Sequence, residues 1–484
     1  MQCFRFLAFT LLALSFTCSI SVADDRPNIV WIVVEDMSLP FGCYGETTIE
    51  TPNVDQLAAQ GVKFTRAYVT APVCSTARSA LVTGMYQTSI GAHHHRSGRG
   101  KAKIQLPKHI RVIPELFRKS GYHTSNSARA TYVADSKKAA GKTDYNFQWD
   151  ASAYDGYHWK MREKGQPFFA QFQLRGGKAR TDKTPKPVDP KDVKLPVYYP
   201  RDEVILQDWA LYLNSAMNTD IEVGQIVKDL KDEGVLDNTY IFFITDHGIS
   251  HARGKQFMYE EGTRIPLVVR GPGLTAGEVR DDLCVHIDLA ASSLSFAGID
   301  IPKWMESVDL FDEDYQRRDY IISARDRCDE TVDHMRSVRT ENFKYIRNFL
   351  PKRPYLQPNA YKDNKSIVMR MRELYAAGKL DAAQAKILAE SRPQEELYDL
   401  VADPNELTNL ASQPKHQKQL IHLRATLDKW VEKSQDAGRA GESDSMYDSD
   451  MKVYLDTIKI RRPERAAEIQ SNIDLMKKWQ SLQQ

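Results

Sequence analysis

Cys74 and Arg78 are the pair whose residue types and spacing most directly suggest chemistry. They lie four positions apart in the stretch APVCSTARSALVTG, which could begin a helix at Cys74. The free N–H groups and the dipole at the start of a helix favour a bound anion. A cysteine and an arginine at this spacing are, on their own, more typical of a structural thiol beside a surface arginine. The meaning of the pair therefore depends on the rest of the sequence.

Two apolar runs end in polar clusters that could join this pair. The run IVWIVV ends at Glu35 and Asp36, and the run YIFFIT ends at Asp246 and His247. Continuous apolar runs of this length predict buried parallel strands. Ligand sites in doubly wound sheets lie beyond the carboxyl ends of the strands. We therefore expect both clusters at one edge of one sheet.

The elements around these runs predict an α/β fold. The stretch TPNVDQLAAQG has the pattern of a helix closed by Gly61, and IRVIPELFRKSG has that of a helix closed by Gly121, ahead of a further strand. A long stretch with helical spacing ends at Gly234, directly before the second apolar run. Strands that alternate with helices indicate a large, mostly parallel sheet sandwiched by helices.

Changes in composition and residue pattern along the chain predict four parts. We predict a signal peptide at residues 1–23 and a catalytic α/β domain at residues 24–325. The stretch MRSVRTENFKYIRNF then has the pattern of two short strands around a turn, so residues 326–440 are predicted to form a smaller α+β subdomain. Residues 441–484 are polar and charged, which predicts a helical tail.

The first residues have the features of a secretory signal. Arg5 precedes an apolar run at positions 6–16, and small residues stand at Ser21 and Ala23. The run is shorter than the about 20 residues that span a bilayer, and no later segment is more apolar. We expect cleavage and export, to the periplasm or as a secreted protein, without stable membrane insertion.

Composition places the chain among globular proteins. Hydrophobic residues make up 42% and charged residues 27%, which excludes the disordered and collagen-like classes. Lys+Arg 66 against Asp+Glu 64 gives a net charge of +2, too balanced for strong attraction to a nucleic acid. Once the signal is removed, the cysteines are Cys43, Cys74, Cys284 and Cys328, too few for a disulfide framework.

These motifs together resemble a known family. The stretch CSTAR at 74–78, followed by LVTG at 81–84, resembles the signature of the sulfatases of the alkaline phosphatase superfamily. The two strand ends, the run ARGKQFMYEEGTRIPLVVRGPG and the stretch EELYDLVADPNELTNLA follow in the family's order, so the likeness covers about residues 27–411. The resemblance implies an alkaline phosphatase-like fold and hydrolysis of sulfate esters of carbohydrates, such as sulfated polysaccharides or glycosaminoglycan fragments.

The resemblance also implies a role for each site residue. A maturase would oxidise Cys74 to formylglycine, which serves as the nucleophile, and Arg78 would hold that group. Lys142 and Lys255 would bind the sulfate oxygens as point charges. Several carboxylates close together need a cation among them, and oxygen ligands suit Ca²⁺. The expected metal ligands are Glu35, Asp36, Cys74, Asp246 and His247.

The sequence departs from the family pattern at several positions, one of them Glu35, which replaces the more usual aspartate. Thr76 stands where the family usually has proline, so the maturase must differ from the common one or tolerate threonine. The stretch GKTDYNF lacks the usual Trp-His after Lys142, and RGGKAR places Lys178 where a histidine is usual. Lys178 is therefore a candidate for contact with the leaving group.

Three consecutive histidines could suggest a zinc site, but their spacing argues against one. His93, His94 and His95 are consecutive, and three consecutive residues cannot point to one tetrahedral metal. We expect at least one of them to line the pocket and bind sugar or donate a proton, with His94 and His95 as the candidates. A surface cluster is the alternative.

Two other functions stay open at this point. His247 stands where many sulfatases have asparagine, and imidazole suits Zn²⁺ or Mn²⁺ better than Ca²⁺. This position therefore also resembles the metal-dependent phosphodiesterases and phosphonate hydrolases of the same superfamily. The missing histidines and Thr76 leave a third interpretation, a noncatalytic protein that binds sulfated glycans.

Overall fold

The computed structural model describes residues 25–133 and 139–482. The predicted signal peptide at residues 1–23 lies outside the described residues. No helix in these two described ranges is both long enough and apolar enough to cross a bilayer.

A large, mostly parallel sheet forms the centre of the protein. Its strand order is β3-β4-β1-β5-β6-β2-β7, with β8 paired to β2. The neighbours β3, β4, β1 and β5 run parallel, and β6 runs antiparallel to both β5 and β2. The strands are β1 (Asn28–Val34), β2 (Val62–Tyr68), β3 (His123–Ser127), β4 (Phe168–Leu174), β5 (Thr239–Thr245), β6 (Arg264–Arg270), β7 (Glu278–Arg280) and β8 (Cys284–Val285).

Helices cover both faces of this sheet. Alternate residues of β1 point to opposite faces: Ile32 packs in the core that holds α1 and α4, and Trp31 packs in the core that holds α2, α3 and α6. The helices are α1 (Pro52–Ala59), α2 (Cys74–Thr83), α3 (Ile113–Lys119), α4 (Glu203–Asp232), α5 (Glu260–Thr263) and α6 (Asp288–Phe296). The predicted α/β architecture is confirmed.

A second, antiparallel sheet follows in the order β12-β11-β10-β9. Its strands are β9 (Tyr320–Arg325), β10 (Met335–Thr340), β11 (Phe343–Asn348) and β12 (Glu395–Asp399). The predicted hairpin is present as β10 and β11. The helices of this part are α7 (Ser366–Ala376), α8 (Ala382–Ala385) and α9 (Gln417–Lys433). The smaller C-terminal α+β part is thus confirmed, while the domain limits at 325 and 440 stay predictions.

The chain ends in two further helices, α10 (Asp444–Arg461) and α11 (Ala466–Ser481). Tyr447 and Met451 of α10 are buried with Ile469 and Ile473 of α11 in one apolar cluster. Ala360, from the segment between β11 and β12, packs in the same cluster. The last helices are therefore packed against the protein and not held apart in solvent.

The register of the central strands places the candidate site. Val34, the last residue of β1, pairs with Leu174 of β4 and with Thr245 of β5. The N–H of Glu35 donates to the carbonyl of Leu174 at 3.0 Å, and the N–H of Asp246 donates to that of Val34 at 2.8 Å. The three strands therefore end together, and the residues that follow them meet at one edge.

We predict that Ile32→Ala lowers the free energy of unfolding by about 2–5 kcal/mol, because it opens a cavity in the central strand. Ile32 is fully buried and pairs with Phe172 and Phe243. Denaturant unfolding followed by fluorescence measures the change. Ile421→Ala on α9 is the matched control, since Ile421 is 58% exposed and its truncation should cost less than about 0.5 kcal/mol. Equal losses in the two variants would contradict the assigned core.

Candidate active site

Two buried carboxylates lie side by side at the carboxyl end of the large sheet. Asp36 and Asp246 are 0% and 1% exposed, and the N–H of Asp36 donates to Oδ1 of Asp246 at 3.0 Å. Asp36 has a φ of 53°, a left-handed backbone conformation that is costly for a residue other than glycine. This kink directly after β1 turns the carboxylate of Asp36 toward the end of β5.

Helix α2 brings Cys74 to the same place. Cys74 is the first residue of α2 and is almost completely buried. Its Sγ lies 3.2 Å from Nε2 of His247 and 3.8 Å from Oδ1 of Asp36. The predicted helix start is confirmed, and the predicted cysteine lies directly against residues from both strand ends.

Three lysines surround these groups. Nζ of Lys255 lies 2.9 Å from Sγ of Cys74 and 3.3 Å from Oδ1 of Asp36. Nζ of Lys178 lies 3.4 Å from the same sulfur and forms an ion pair with Glu35. Nζ of Lys142 is 3.3 Å from the other carboxylate oxygen of Glu35. An anion near Cys74 would therefore meet fixed positive charges.

A close approach of two backbones positions Lys178. The segment after β4 passes so near the strand end that a Cβ on Gly177 would overlap the carbonyl oxygen of Asp36. Gly176, the residue before it, has a φ of 44°, and a Cβ at this position would overlap the side chain of Val34. The glycines of RGGKAR thus allow Lys178 to reach Glu35.

Arg78 binds a carboxylate and not the sulfur. Its Nε and Nη2 donate to Oδ2 of Asp246 at 3.2 and 3.0 Å, and its Nη1 donates to the side chain of Gln173. The guanidinium is 2% exposed. Arg78 therefore fixes the orientation of Asp246, while its predicted contact with the modified Cys74 stays a prediction.

The charges of the cluster shift the pKa values of Cys74, Asp36 and His247. Burial raises the pKa of Cys74, but the ammonium groups of the three lysines outweigh burial and lower this pKa to about 6. Burial likewise opposes ionisation of Asp36, yet Lys178 and Lys255 hold the pKa of that carboxyl well below its usual range. Burial lowers the pKa of His247, but the carboxylate of Asp246 raises it by more. The net result is a pKa of about 9.

The donor set fits a divalent metal. Asp36, Cys74, Asp246 and His247 each offer one ligand atom, and these atoms lie within 4.8 Å of one another. Nδ1 of His247 is 2.8 Å from the carbonyl of Gly248, so Nδ1 donates and Nε2 faces the carboxylates. This arrangement is typical of metal-binding histidines. Glu35 lies beside this group of four.

The predicted histidines occupy different surroundings. Nδ1 of His95 is 2.7 Å from Oγ of Ser75, directly after Cys74, and its Nε2 is 3.6 Å from Oδ1 of Asp329. His94 instead accepts from the N–H of Arg327 at 3.3 Å and packs against His93. The structure therefore brings His95 to the cysteine end of the cluster and turns His94 toward the C-terminal part. Their roles in sugar binding stay predictions.

Two residues that sequence reasoning missed also reach the cluster. Tyr361 donates its hydroxyl to Oδ2 of Asp36 at 2.6 Å from the segment between β11 and β12. Asp144 lies 3.3 Å from Nζ of Lys142 and 3.8 Å from Nε of Arg78. Asp144 stands in the stretch GKTDYNF, where its place after the lysine was a usable signal. No pattern in the sequence marks Tyr361.

Comparisons with known proteins identify the family of this chain. The family model described as Sulfatase matches residues 27–299, and the model described as N-sulphoglucosamine sulphohydrolase, C-terminal, matches residues 247–389. The chain is 33% identical over 474 residues to an ulvan-active sulfatase of Formosa agariphila, with 87% of this chain and 77% of that protein covered. It is 23% identical over 473 residues to the N-sulphoglucosamine sulphohydrolase of Homo sapiens, with 84% and 90% covered.

The fold is also that of a solved structure. The structure of BT4656 in complex with its substrate D-glucosamine-2-N,6-O-disulfate superimposes with a TM-score of 0.60 at 17% identity. The match covers 86% of this chain and 100% of that chain. The chain belongs to the sulfatase family and is a sulfuric ester hydrolase, which confirms the predicted family and enzyme class. Membership implies a formylglycine and a divalent metal.

We predict that unoxidised Cys74 reacts with iodoacetamide with a pH midpoint near 6, because the thiolate is the reacting form and dominates above the lowered pKa. Cys43 should stay unreacted at neutral pH, since burial and the carboxylate of Asp55 raise its pKa to about 12. Peptide mass spectrometry of metal-free protein across a pH series measures both rates. A midpoint for Cys74 near that of free cysteine, about 8.5, would contradict the assigned electrostatics.

Proposed function

We propose that this protein is an exported sulfatase that hydrolyses sulfate esters of carbohydrates, with a formylglycine made from Cys74 and a bound Ca²⁺ ion. The observation that supports this proposal best is the position of Cys74, whose Sγ lies 2.9 Å from Nζ of Lys255 and 3.4 Å from Nζ of Lys178. A nucleophile made at residue 74 in place of the thiol would be surrounded by donors for the oxygens of a sulfate group.

The substrate class is supported by the relatives and by the charges of the site. One relative is named for activity on ulvan and another for activity on N-sulphoglucosamine. Sulfated polysaccharides and glycosaminoglycan fragments carry dense negative charge. The side chains of Lys142 and Lys178 are each 24% exposed, which leaves them accessible at the mouth of the site. Such a mouth attracts a polyanionic carbohydrate.

Each side chain of the site is assigned a separate role in cleavage of the sulfate ester. A hydrated formylglycine at residue 74 would supply the oxygen nucleophile that displaces the sugar alcohol from sulfur, with a proton delivered to the departing alcohol. Its second hydroxyl would then lose a proton, so that the C–O bond to sulfate breaks and the aldehyde re-forms. Lys178, and not Lys142 as expected from the sequence, is assigned with Lys255 to the sulfate oxygens, because both Nζ atoms lie next to Sγ of Cys74, and their charges offset the charge that develops there. Arg78 holds Asp246 through two hydrogen bonds, which keeps the carboxylate in place while substrate enters.

We assign the metal to Asp36, Asp246, His247 and residue 74, with Glu35 beside them. A divalent cation held there would screen the carboxylates and would supply Lewis-acid polarisation of a sulfate oxygen. The carboxylate oxygens support Ca²⁺, whereas Nε2 of His247 supports a transition metal. Tyr361 fixes Oδ2 of Asp36 by donating a hydrogen bond to it. Comparison of aryl sulfate and aryl phosphodiester turnover with Ca²⁺, Zn²⁺ and Mn²⁺ decides the metal, and preference for the phosphodiester would contradict the proposal.

Export and maturation complete the proposal. The signal-like residues 1–23 support export to the periplasm or the medium. Conversion of Cys74 requires a formylglycine-generating maturase that accepts Thr76 in place of proline. Oγ1 of Thr76 donates to the carbonyl of Val73 at 2.7 Å, so threonine fits the first turn of α2.

We predict that the peptide containing Cys74 is about 18 Da lighter than its unmodified mass, because the thiol is replaced by an aldehyde. Peptide mass spectrometry of protein purified from its own host, together with turnover of sulfated oligosaccharides, measures modification and activity in the same sample. Cys74→Ala is expected to lose all turnover. Full activity in protein whose Cys74 retains its thiol would contradict the proposed nucleophile.

We predict that Ca²⁺ at about 100 times its Kd stabilises the native protein by about 2.7 kcal/mol, because only the folded chain assembles the ligands. Asp246→Asn should lose this thermal shift and activity together. Lys255→Ala should lose activity but keep the shift, since Lys255 is assigned to sulfate. Differential scanning fluorimetry and calorimetric titration measure the two effects. A Ca²⁺ shift that survives in Asp246→Asn would show that the metal is bound elsewhere.

A further inference from the structure

A basic cleft lies between the turn at residues 96–100 and helix α10. Its volume is about 210 Å³. The charged side chains that line it are Arg96, Arg99, Arg327, Asp329, Asp450 and Arg461. None of them belongs to the cluster around Cys74 described above.

The turn that lines the cleft also contacts the residue after Cys74. The N–H of Arg96 donates to Oγ of Ser75 at 2.9 Å. The same Oγ lies 2.7 Å from Nδ1 of His95. The wall of the cleft is therefore tied to the start of helix α2, where Cys74 stands.

Helix α10 holds the turn rigidly. The carboxylate of Asp450 accepts hydrogen bonds from the N–H groups of Gly98 and Arg99 at 3.2 and 3.0 Å. The same carboxylate accepts from Nη2 of Arg327 at 2.8 Å. A Cβ on Gly100 would overlap Ser449, so the approach of helix to turn requires glycine there. The walls of the cleft are thus fixed by buried polar contacts between distant parts of the chain.

Two guanidinium groups in the cleft lack an acidic partner. Arg327 is paired with Glu442 and Asp450, and Arg96 with Asp329 at 3.3 Å. Within residues 25–133 and 139–482, by contrast, no carboxylate lies within 4.0 Å of the guanidinium nitrogens of Arg99 or Arg461. Both Arg99 and Arg461 are exposed, so their guanidinium groups are accessible to an anion from solvent.

The chemistry of the walls selects an anionic sugar. A guanidinium group binds a carboxylate or a sulfate through two parallel hydrogen bonds. Tyr454 and Met451 provide apolar surface beside these groups, and an aromatic ring suits the face of a sugar. Arg99 and Arg461 therefore match a second negative charge on the carbohydrate that carries the sulfate ester.

We propose that this cleft is a second anion subsite, in which Arg99 and Arg461 bind an additional carboxylate or sulfate of the substrate chain. The inference rests on the proposed carbohydrate sulfatase function and extends it. The second anion subsite makes the enzyme selective for sulfate esters that have another anionic group nearby. Through Arg461, helix α10 then takes part in substrate recognition.

The test compares substrates that differ only in the second charge. Three oligosaccharides of the same length carry the scissile sulfate alone, with a uronate carboxylate, or with a second sulfate. We expect Arg99→Gln/Arg461→Gln to lower the ratio of kcat/KM for a doubly anionic substrate to that for the singly anionic one by about tenfold. Arg462→Gln, an exposed arginine next to Arg461 that does not line the cleft, is the matched control. An unchanged ratio in the double variant, or an equal fall in the control, would overturn the proposal.

A binding experiment distinguishes failure of this inference from failure of the proposed function. Cys74→Ala protein is titrated with the doubly anionic oligosaccharides by calorimetry, with and without the two arginine substitutions. Weaker binding by the protein lacking both arginines supports the subsite even if the wild type hydrolyses no carbohydrate, in which case only the proposed function fails. Equal binding overturns the subsite even if the wild type is active. The uronate and second-sulfate substrates identify which anion the cleft prefers.

Discussion

The burial of two carboxylates at one sheet edge is the constraint on which the rest of the structure depends. Asp36 and Asp246 are removed from water, and an unpaired buried charge costs several kcal/mol. Cations from three further elements offset this cost: Arg78 from α2, Lys178 from the segment after β4 and Lys255 from the segment after β5. Helix α2 and the segments after β4 and β5 must therefore pack correctly before the buried carboxylates are stable.

The sequence predicts the parts of this site that local patterns encode. Apolar runs mark β1 and β5, and parallel register then brings Asp36 next to Asp246 without further information. The start of α2 at Cys74 also follows from local pattern. The orientation of Arg78 toward Asp246 could not be predicted, because it depends on the crossing of α2 over the sheet. Tyr361 could not be found either, since it lies in an irregular segment with no periodic pattern.

The C-terminal part completes the site and is not an appendage to it. Tyr361 reaches Asp36 from the segment between β11 and β12, and Asp450 of α10 holds the turn that contains Arg99. The composition of residues 441–484 indicates a charged helical tail, but composition does not reveal that one of its carboxylates is 3% exposed and accepts backbone N–H groups. Such contacts are decided by tertiary packing, which overrides what a polar segment suggests by itself.

The hydrogen bond from Gly98 to Asp450 joins residues 352 positions apart, and the bond from Tyr361 to Asp36 spans 325 positions. Contacts of such high sequence separation form late, because the intervening chain must be synthesised and its loop-closure entropy overcome. While the chain emerges from the ribosome, the CSTAR stretch is made long before Tyr361 and Asp450. The segment around Cys74 therefore stays incompletely packed until the C-terminal part has been synthesised, and the proposed maturase would have that interval in which to reach Cys74.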